Sequence, residues 1–247
     1  MTPEMTEIWE PEVKIVTPGS AEIDVVTPAP SDAIVLFDGR DLAQWEAASN
    51  RNAMVKGKDT AMYRASTSGN AEWVVSNGEL AVNKDAGDIQ TKQSFGDFQL
   101  HIEWRIPEGI HGEGQYRGNS GIFIQNYYEV QILDSYNNKT YSNGQAGSIY
   151  KQTAPLVNPV RKPGEWNRYD IIYTAPTYKS DSTYRTKPIV TVLLNGVLVQ
   201  HSSIIHGTTP YIGWPQTIFH GKGPIRLQAH GDESEPISFR NIWIREL

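Results

Sequence analysis

Glu129 and Gln131 stand two residues apart in the run Tyr128-Glu129-Val130-Gln131-Ile132-Leu133-Asp134. Val130 and Ile132 alternate with them. Period-two alternation sends the aliphatic set to one face of a strand and the carboxyl and amide to the other. At ~3.3 Å per residue the two polar groups then sit about 7 Å apart along the strand. A carboxyl can move a proton, and an amide offers both a donor and an acceptor to a hydroxyl. A row of such groups suits a sugar, whose hydroxyls need paired donors and acceptors.

Three other runs carry the same signature. Leu100, Ile102, Trp104 and Ile106 alternate with His101, Glu103 and Arg105. Asn119, Phe123 and Gln125 share a parity in Asn119-Ser120-Gly121-Ile122-Phe123-Ile124-Gln125, and Arg226, Gln228 and His230 share one in Arg226-Leu227-Gln228-Ala229-His230. If these strands are neighbours, they build one polar floor. On it, Glu129 or His230 would remove a proton, and Arg105 or Arg226 would hold a developing oxyanion. Glu103 beside an arginine also reads as a plain cross-strand ion pair. Trp214 and Tyr211, on a long loop, are placed to stack on a sugar ring or to pin that loop.

The elements that must position these groups are short strands. Asn77-Gly78 and Asn195-Gly196 each separate two apolar runs, the strongest short hairpin signal. Further strands are expected at 33–37, 89–91, 98–106, 148–150, 166–174, 225–230 and 239–244. Residues 46–72, 107–118, 135–147 and 200–222 read as loops, and loops this long in a compact domain usually carry function. No amphipathic helix longer than two turns is apparent, so the pattern predicts an all-β sandwich or barrel. Residues 32–247 read as one domain. Residues 1–31 hold Pro3, Pro11, Pro18, Pro28 and Pro30 and read as an extended arm, with Trp9 as a candidate anchor.

Composition removes several classes of function. The 247 residues carry a net charge of −6, with no basic cluster beyond Arg161-Lys162, which argues against nucleic acid or an anionic membrane as partner. There is no cysteine, hence no disulfide, thiolate metal site or thiol nucleophile. No apolar run approaches the length of a membrane span. The polar, acidic opening Met1-Thr2-Pro3-Glu4 shows no secretory-signal pattern, and a trimmed signal stays open. No Gly-x-Ser-x-Gly, His-Glu-x-x-His, dinucleotide or EF-hand motif occurs. The acidic run Asp232-Glu233-Ser234-Glu235 reads as a solvated turn or, less simply, a calcium loop. A paired-carboxylate glycosidase would need acids at one parity, but Gln131 takes one such place and Asp134 has the other parity.

The chain resembles the 3-keto-disaccharide hydrolase family from residue 36 to its end. The resemblance rests on Leu36-Phe37-Asp38-Gly39-Arg40-Asp41-Leu42, Gly96-Asp97-Phe98, Gly118-Asn119-Ser120-Gly121-Ile122-Phe123, Tyr128 to Asp134, Lys162-Pro163-Gly164-Glu165-Trp166-Asn167, Leu194-Asn195-Gly196-Val197, Gly223 to Gly231, and Phe239-Arg240-Asn241-Ile242. Ala229 departs from the family, which often has Asp there. The resemblance implies a concanavalin A-like jelly roll of two antiparallel sheets with few or no helices, and a periplasmic or secreted home. It implies a carbohydrate already oxidised at C3 as substrate. A 3-keto group acidifies the C2 hydrogen, so a base at C2 expels the C1 oxygen by elimination and water then adds. On that chemistry Glu129 or His230 is the expected base, with Arg105, Asn119, Gln131, Gln228 and Glu103 as binders and Asp134 as a weaker candidate. A divalent metal in place of the arginine is left open, as are the oligomeric state, a purely sugar-binding role and an ordinary glucanase.

Overall fold

In a computed structural model, the structure describes residues 1–19, 25–48 and 69–247. Among them, regular structure is almost wholly β. The first strands are β1 (Ile34–Phe37), β2 (Trp45–Ala47), β3 (Val74–Ser76), β4 (Glu79–Ala81) and β5 (Ile89–Thr91). Next come β6 (Phe98–Arg105), β7 (Ser120–Ile124), β8 (Tyr128–Ile132) and β9 (Trp166–Thr174). The rest are β10 (Thr177–Tyr178), β11 (Tyr184–Thr186), β12 (Ile189–Leu194), β13 (Val197–Ile204), β14 (Arg226–Leu227) and β15 (Ser238–Glu246). The helical pieces are single 3₁₀ turns, and no helix among the described residues is long and apolar enough to cross a membrane.

Every strand pairing is antiparallel. The larger sheet runs β13-β12-β9-β6-β15-β4-β3, with β1 also on β15; the smaller runs β2-β5-β14-β7-β8. The two pack as a jelly-roll sandwich. Leu100, Ile102 and Trp104 of β6 and Tyr169 and Ile171 of β9 meet Ile122 and Ile124 of β7, Val130 and Ile132 of β8, and Leu227. Each such side chain, taken out of water, contributes about 1.5–3 kcal/mol. The parity of each strand is set by this burial, because a one-residue slip would turn its apolar set outward.

The turns follow their residues. Asn77 and Gly78, and Asn195 and Gly196, all take positive φ, as a two-residue hairpin turn with the sheet's own twist requires. Gln125 (φ 52°) and Asn126 (φ 70°) do the same between β7 and β8. That reversal removes Gln125 from the outward face assigned to it above, because its amide turns inward to accept from Tyr173 at 2.8 Å and donate to the Phe95 carbonyl at 2.9 Å. The expected strand at 148–150 is an isolated bridge, Ile149 to Val130, and that at 225–230 shrinks to β14. The β10–β11 hairpin was not foreseen. Residues 49–68 of the expected 46–72 loop lie outside the described residues.

The described amino-terminal residues lie against the loop segment 142–158 and against β15. Asn143 and Ser142 bind the backbone at Thr6 and Ile8. Ile15 bridges Asn158, and Asn241 donates to the Thr27 carbonyl at 2.8 Å.

Candidate active site

The expectation of one four-strand floor fails on sheet membership. β6 lies in the larger sheet, whereas β7, β8 and β14 lie in the smaller. Since both sheets turn their apolar sets inward, His101, Glu103 and Arg105 face away from Glu129 across the whole core. Alternation within a strand fixes parity, but not which sheet a strand joins. Glu103 and Arg105 therefore do not share a site with Glu129. Glu103 accepts from Arg240 at 2.6 Å and Asn241 at 2.8 Å, and Arg105 pairs with Glu79 at 2.5 Å over the Trp166 ring.

The smaller sheet does gather a site. Asn119, Glu129, Gln131, Gln228 and His230 line one cleft with Tyr150 and Tyr211, enclosing about 300 Å³ with its open mouth. Gly121 opposes Gln131 across β7–β8, and Phe123 opposes Glu129. A side chain at Gly121 would overlap Glu129, reaching within 2.9 Å of its Cγ and Cδ, so the carboxyl lies in space that only glycine vacates. The segment 147–150 hydrogen bonds along the free edge of β8, with Tyr150 N donating to the Glu129 carbonyl at 3.1 Å, and this delivers the Tyr150 ring to the rim. Thr209 receives the Glu129 amide at 3.1 Å and anchors the loop that brings Tyr211.

Glu129 is buried (4% exposed). Burial pushes its carboxyl up to about 8; the Arg226 guanidinium opposes the rise and the Asp88 carboxylate adds to it. Arg226 stacks 4.0 Å over Phe123, with its Nε 3.6 Å from Asp88. It thus supplies the positive charge near Glu129 that Arg105 was expected to supply. Gln131, with its amide nitrogen turned to Glu129, donates to Oε1 at 3.0 Å. Its position in the amide row is shared with Asn119, whose nitrogen donates to the Gln115 carbonyl at 2.8 Å. Gln228 Oε1 is buried without a hydrogen-bond partner among the described residues, which leaves it an acceptor for a ligand hydroxyl.

His230 is held from behind. Its Nδ1 lies 2.7 Å from Asp232, so Nε2 is the nitrogen left for a ligand. Asp232 is itself fixed by Lys84 at 3.1 Å and by Ser234. Burial alone would raise its carboxyl, but the hydrogen bonds from His230 and Ser234 outweigh it and hold it at about 2. The run read as a solvated turn is therefore the support of the histidine. Asp134 is fully buried and paired with Arg117 at 2.8 Å, and Trp214 is 60% exposed and outside the cleft lining. Asp232, Asp88 and Tyr150 were missed; only Gly121, a lone glycine in a strand pattern, had advertised a close approach.

No three His, Asp or Glu side chains among the described residues converge as a metal shell would. One imidazole and one carboxyl amid amides do not fit a divalent ion.

The 3-keto-alpha-glucoside-1,2-lyase-like domain matches residues 32–245. The 3-keto-disaccharide hydrolase of Bacteroides thetaiotaomicron is 26% identical over 265 aligned residues, 92% of this chain and 83% of its own. A crystal structure from Parabacteroides distasonis, of a protein provisionally classed as a glycosyl hydrolase, is 60% identical, covers all of this chain and 97% of its own, and superposes with a TM-score of 0.82. A second protein of that organism and provisional class, 21% identical over 87% of this chain and 94% of its own, shares the fold at a TM-score of 0.54. The match spans both sheets and the strands that carry Glu129, Gln131 and Gln228, and the chain belongs to the 3-keto-alpha-glucoside-1,2-lyase-like family of glycoside-cleaving enzymes.

Proposed function

We propose that the cleft cleaves 3-keto-disaccharides by elimination across C1 and C2 followed by addition of water. The observation that carries this reading is a division of labour between two groups lining one cleft. Glu129, with its carboxyl pushed up to about 8, holds a proton at neutral pH, while His230 is oriented by an ionised carboxylate. A carboxyl that holds a proton and an imidazole whose Nε2 is left to take one make an acid and a base.

His230 Nε2 takes the proton from C2, which the C3 ketone has acidified. The C2–H electrons form the C1=C2 bond as the C1–O bond breaks. Glu129 gives its proton to the departing oxygen, so the leaving sugar departs as an alcohol. Asn119, Gln131 and Gln228 hold the sugar and the negative charge that builds on the C3 oxygen. Water then adds at C1: Glu129 recovers a proton from it, and His230 returns one to C2. The net change is hydrolysis to 3-ketoglucose. A paired-carboxylate mechanism would need a second acid in the cleft, and Glu129 is the only carboxyl among its described lining residues.

Incubation with 3-keto-trehalose or 3-keto-lactose is expected to release 3-ketoglucose, while the unoxidised parents stay intact; cleavage of the parents would overturn the reading. The roles separate with a 3-keto p-nitrophenyl glucoside, whose leaving group needs no proton. Glu129→Gln should cleave it at close to the native rate and fail on the disaccharide, whereas His230→Gln should fail on both. The reverse pattern would make Glu129 the base.

A further inference from the structure

The family domain begins at residue 32, yet residues 3–9 reach the wall of the cleft. The link is Lys151, which follows Tyr150 and is 7% exposed. Its backbone takes a left-handed φ of 55°, held by a hydrogen bond from its amide to the Asn143 carbonyl at 2.8 Å. Its ammonium has three donors to place. It donates to the Tyr211 carbonyl at 3.0 Å and to the Pro3 carbonyl at 2.8 Å, and Glu7 lies 3.7 Å away. Two of these three partners belong to the amino-terminal segment.

The same ammonium sits against three aromatic rings. Their centroids lie 4.8 Å (Tyr211), 5.4 Å (Tyr141) and 5.9 Å (Tyr150) away, within the range of a cation–π attraction. Tyr150 and Tyr211 line the cleft. Tyr141 shares a hydroxyl contact with Tyr150 at 2.8 Å, and the edge of Trp9 packs on Tyr141 at 6.0 Å. The segment is fastened beside these rings by Asn143, whose amide bonds Thr6 and Ile8, and by Ser142, which donates to the Ile8 carbonyl.

We infer that Lys151 is a positioning residue for the aromatic wall of the cleft, and that residues 3–9, by completing its shell, set how tightly the sugar is held. The inference rests on the reading of the cleft given above. A buried ammonium that loses the Pro3 carbonyl and the Glu7 carboxylate is left under-compensated and must move toward water. Tyr150 and Tyr211 then lose the charge that fixes their rings. Neither ring moves a proton in the reaction, so loosening them weakens substrate and transition state alike, raising KM and sparing kcat.

The test compares the full chain with a chain lacking residues 1–9 and with Lys151→Met, using a 3-keto-disaccharide as substrate. Both variants are expected to raise KM about tenfold with kcat held within about twofold. Lys151→Arg, which keeps a cation over the rings, should stay within about threefold of the native KM, and a peptide of residues 1–12 added to the shortened chain should lower its KM again. Hydrogen exchange at 149–152 and 209–212 should quicken in the shortened chain, a readout that needs no substrate. Native KM and native exchange in both folded variants would overturn the inference. If the full chain cleaves no keto-sugar, the catalytic reading falls, and the exchange comparison still decides whether residues 3–9 hold the wall.

Discussion

The outer faces of the two sheets look alike in sequence and differ in how their charges close. On the larger sheet, Glu103 meets His101, Arg240 and Asn241, and His101 meets Asp170 at 2.7 Å while stacking on Trp243. Burial would raise Glu103, but these hydrogen bonds outweigh it and bring it to about 2. On the smaller sheet, Glu129 is as deeply buried, has an amide as its close neighbour, and rises to about 8. One face spends its charges on itself; the other leaves a proton and unfilled acceptors pointing into a cleft. Polar alternation on a strand therefore marks a site only where the groups are left unmatched by one another.

The largest expected effect breaks that contrast with one atom on each face. Glu129→Gln should lower kcat on a keto-disaccharide by about 10²–10⁴-fold while leaving the protein folded, because a general acid or base contributes that much. Glu103→Gln should leave kcat within about twofold and cost about 2 kcal/mol of stability, because the half-buried Arg240 then keeps its charge without its carboxylate partner. Parallel kinetics and urea unfolding read both. Equal losses of activity from the two would erase the distinction.

Gly121→Ala comes next. The added carbon meets Glu129 rather than water, so the carboxyl must swing out of its space. A shift of about 1 Å in a catalytic group costs on the order of 10²-fold. The loss should fall in kcat, with circular dichroism unchanged. A near-native kcat would show that Glu129 need not lie across β7.

The hairpins at Asn77-Gly78 and Asn195-Gly196, the inward parity of β6 to β9 and the sharing of one face by Glu129 and Gln131 could be read from sequence, because each rests on contacts a few residues apart or on a period of two; that β14 brings Gln228 beside them, about 100 residues on, could not. The placement of β6 could not. It pairs with β9 and β15, some 70 and 140 residues on, and no local pattern records that choice. Asp232 was hidden for a related reason: an acidic turn looks solvated until Lys84, 148 residues away, is brought to it. Gln125 was misplaced because its left-handed backbone interrupts the alternation that the flanking residues obey.

The two carboxyls also predict opposite responses of stability to pH. Glu103 titrates at about 2 in the fold, below the usual 4.5. Its contribution is present above pH 4.5 and lost as pH falls toward 2. Glu129 titrates at about 8, above the usual 4.5. Its protonated form favours the fold below pH 4.5, and that advantage drains away as pH rises from 4.5 to 8, by on the order of a few kcal/mol. Urea midpoints at pH 5, 7 and 9 should therefore decline in the native protein and decline less in Glu129→Gln. Parallel slopes would mean that Glu129 is already ionised at neutral pH, which would return it to the role of base.

The smallest expected effect concerns Arg105, whose residue type and parity fit an oxyanion binder. Its guanidinium lies over the Trp166 ring at 4.6 Å and pairs with Glu79, with side chains 31% and 27% exposed. At that exposure an ion pair contributes about 0–1 kcal/mol. Arg105→Ala should therefore change kcat/KM by less than about twofold and lower stability by no more than about 1 kcal/mol. Arg226→Ala, on the other sheet, removes the cation facing Glu129, so the carboxyl should titrate higher still and the alkaline fall in activity should move up in pH. If Arg105→Ala impaired catalysis instead, charge on the far side of a hydrophobic core would have to reach the cleft. Only a change in how the two sheets pack could carry it there.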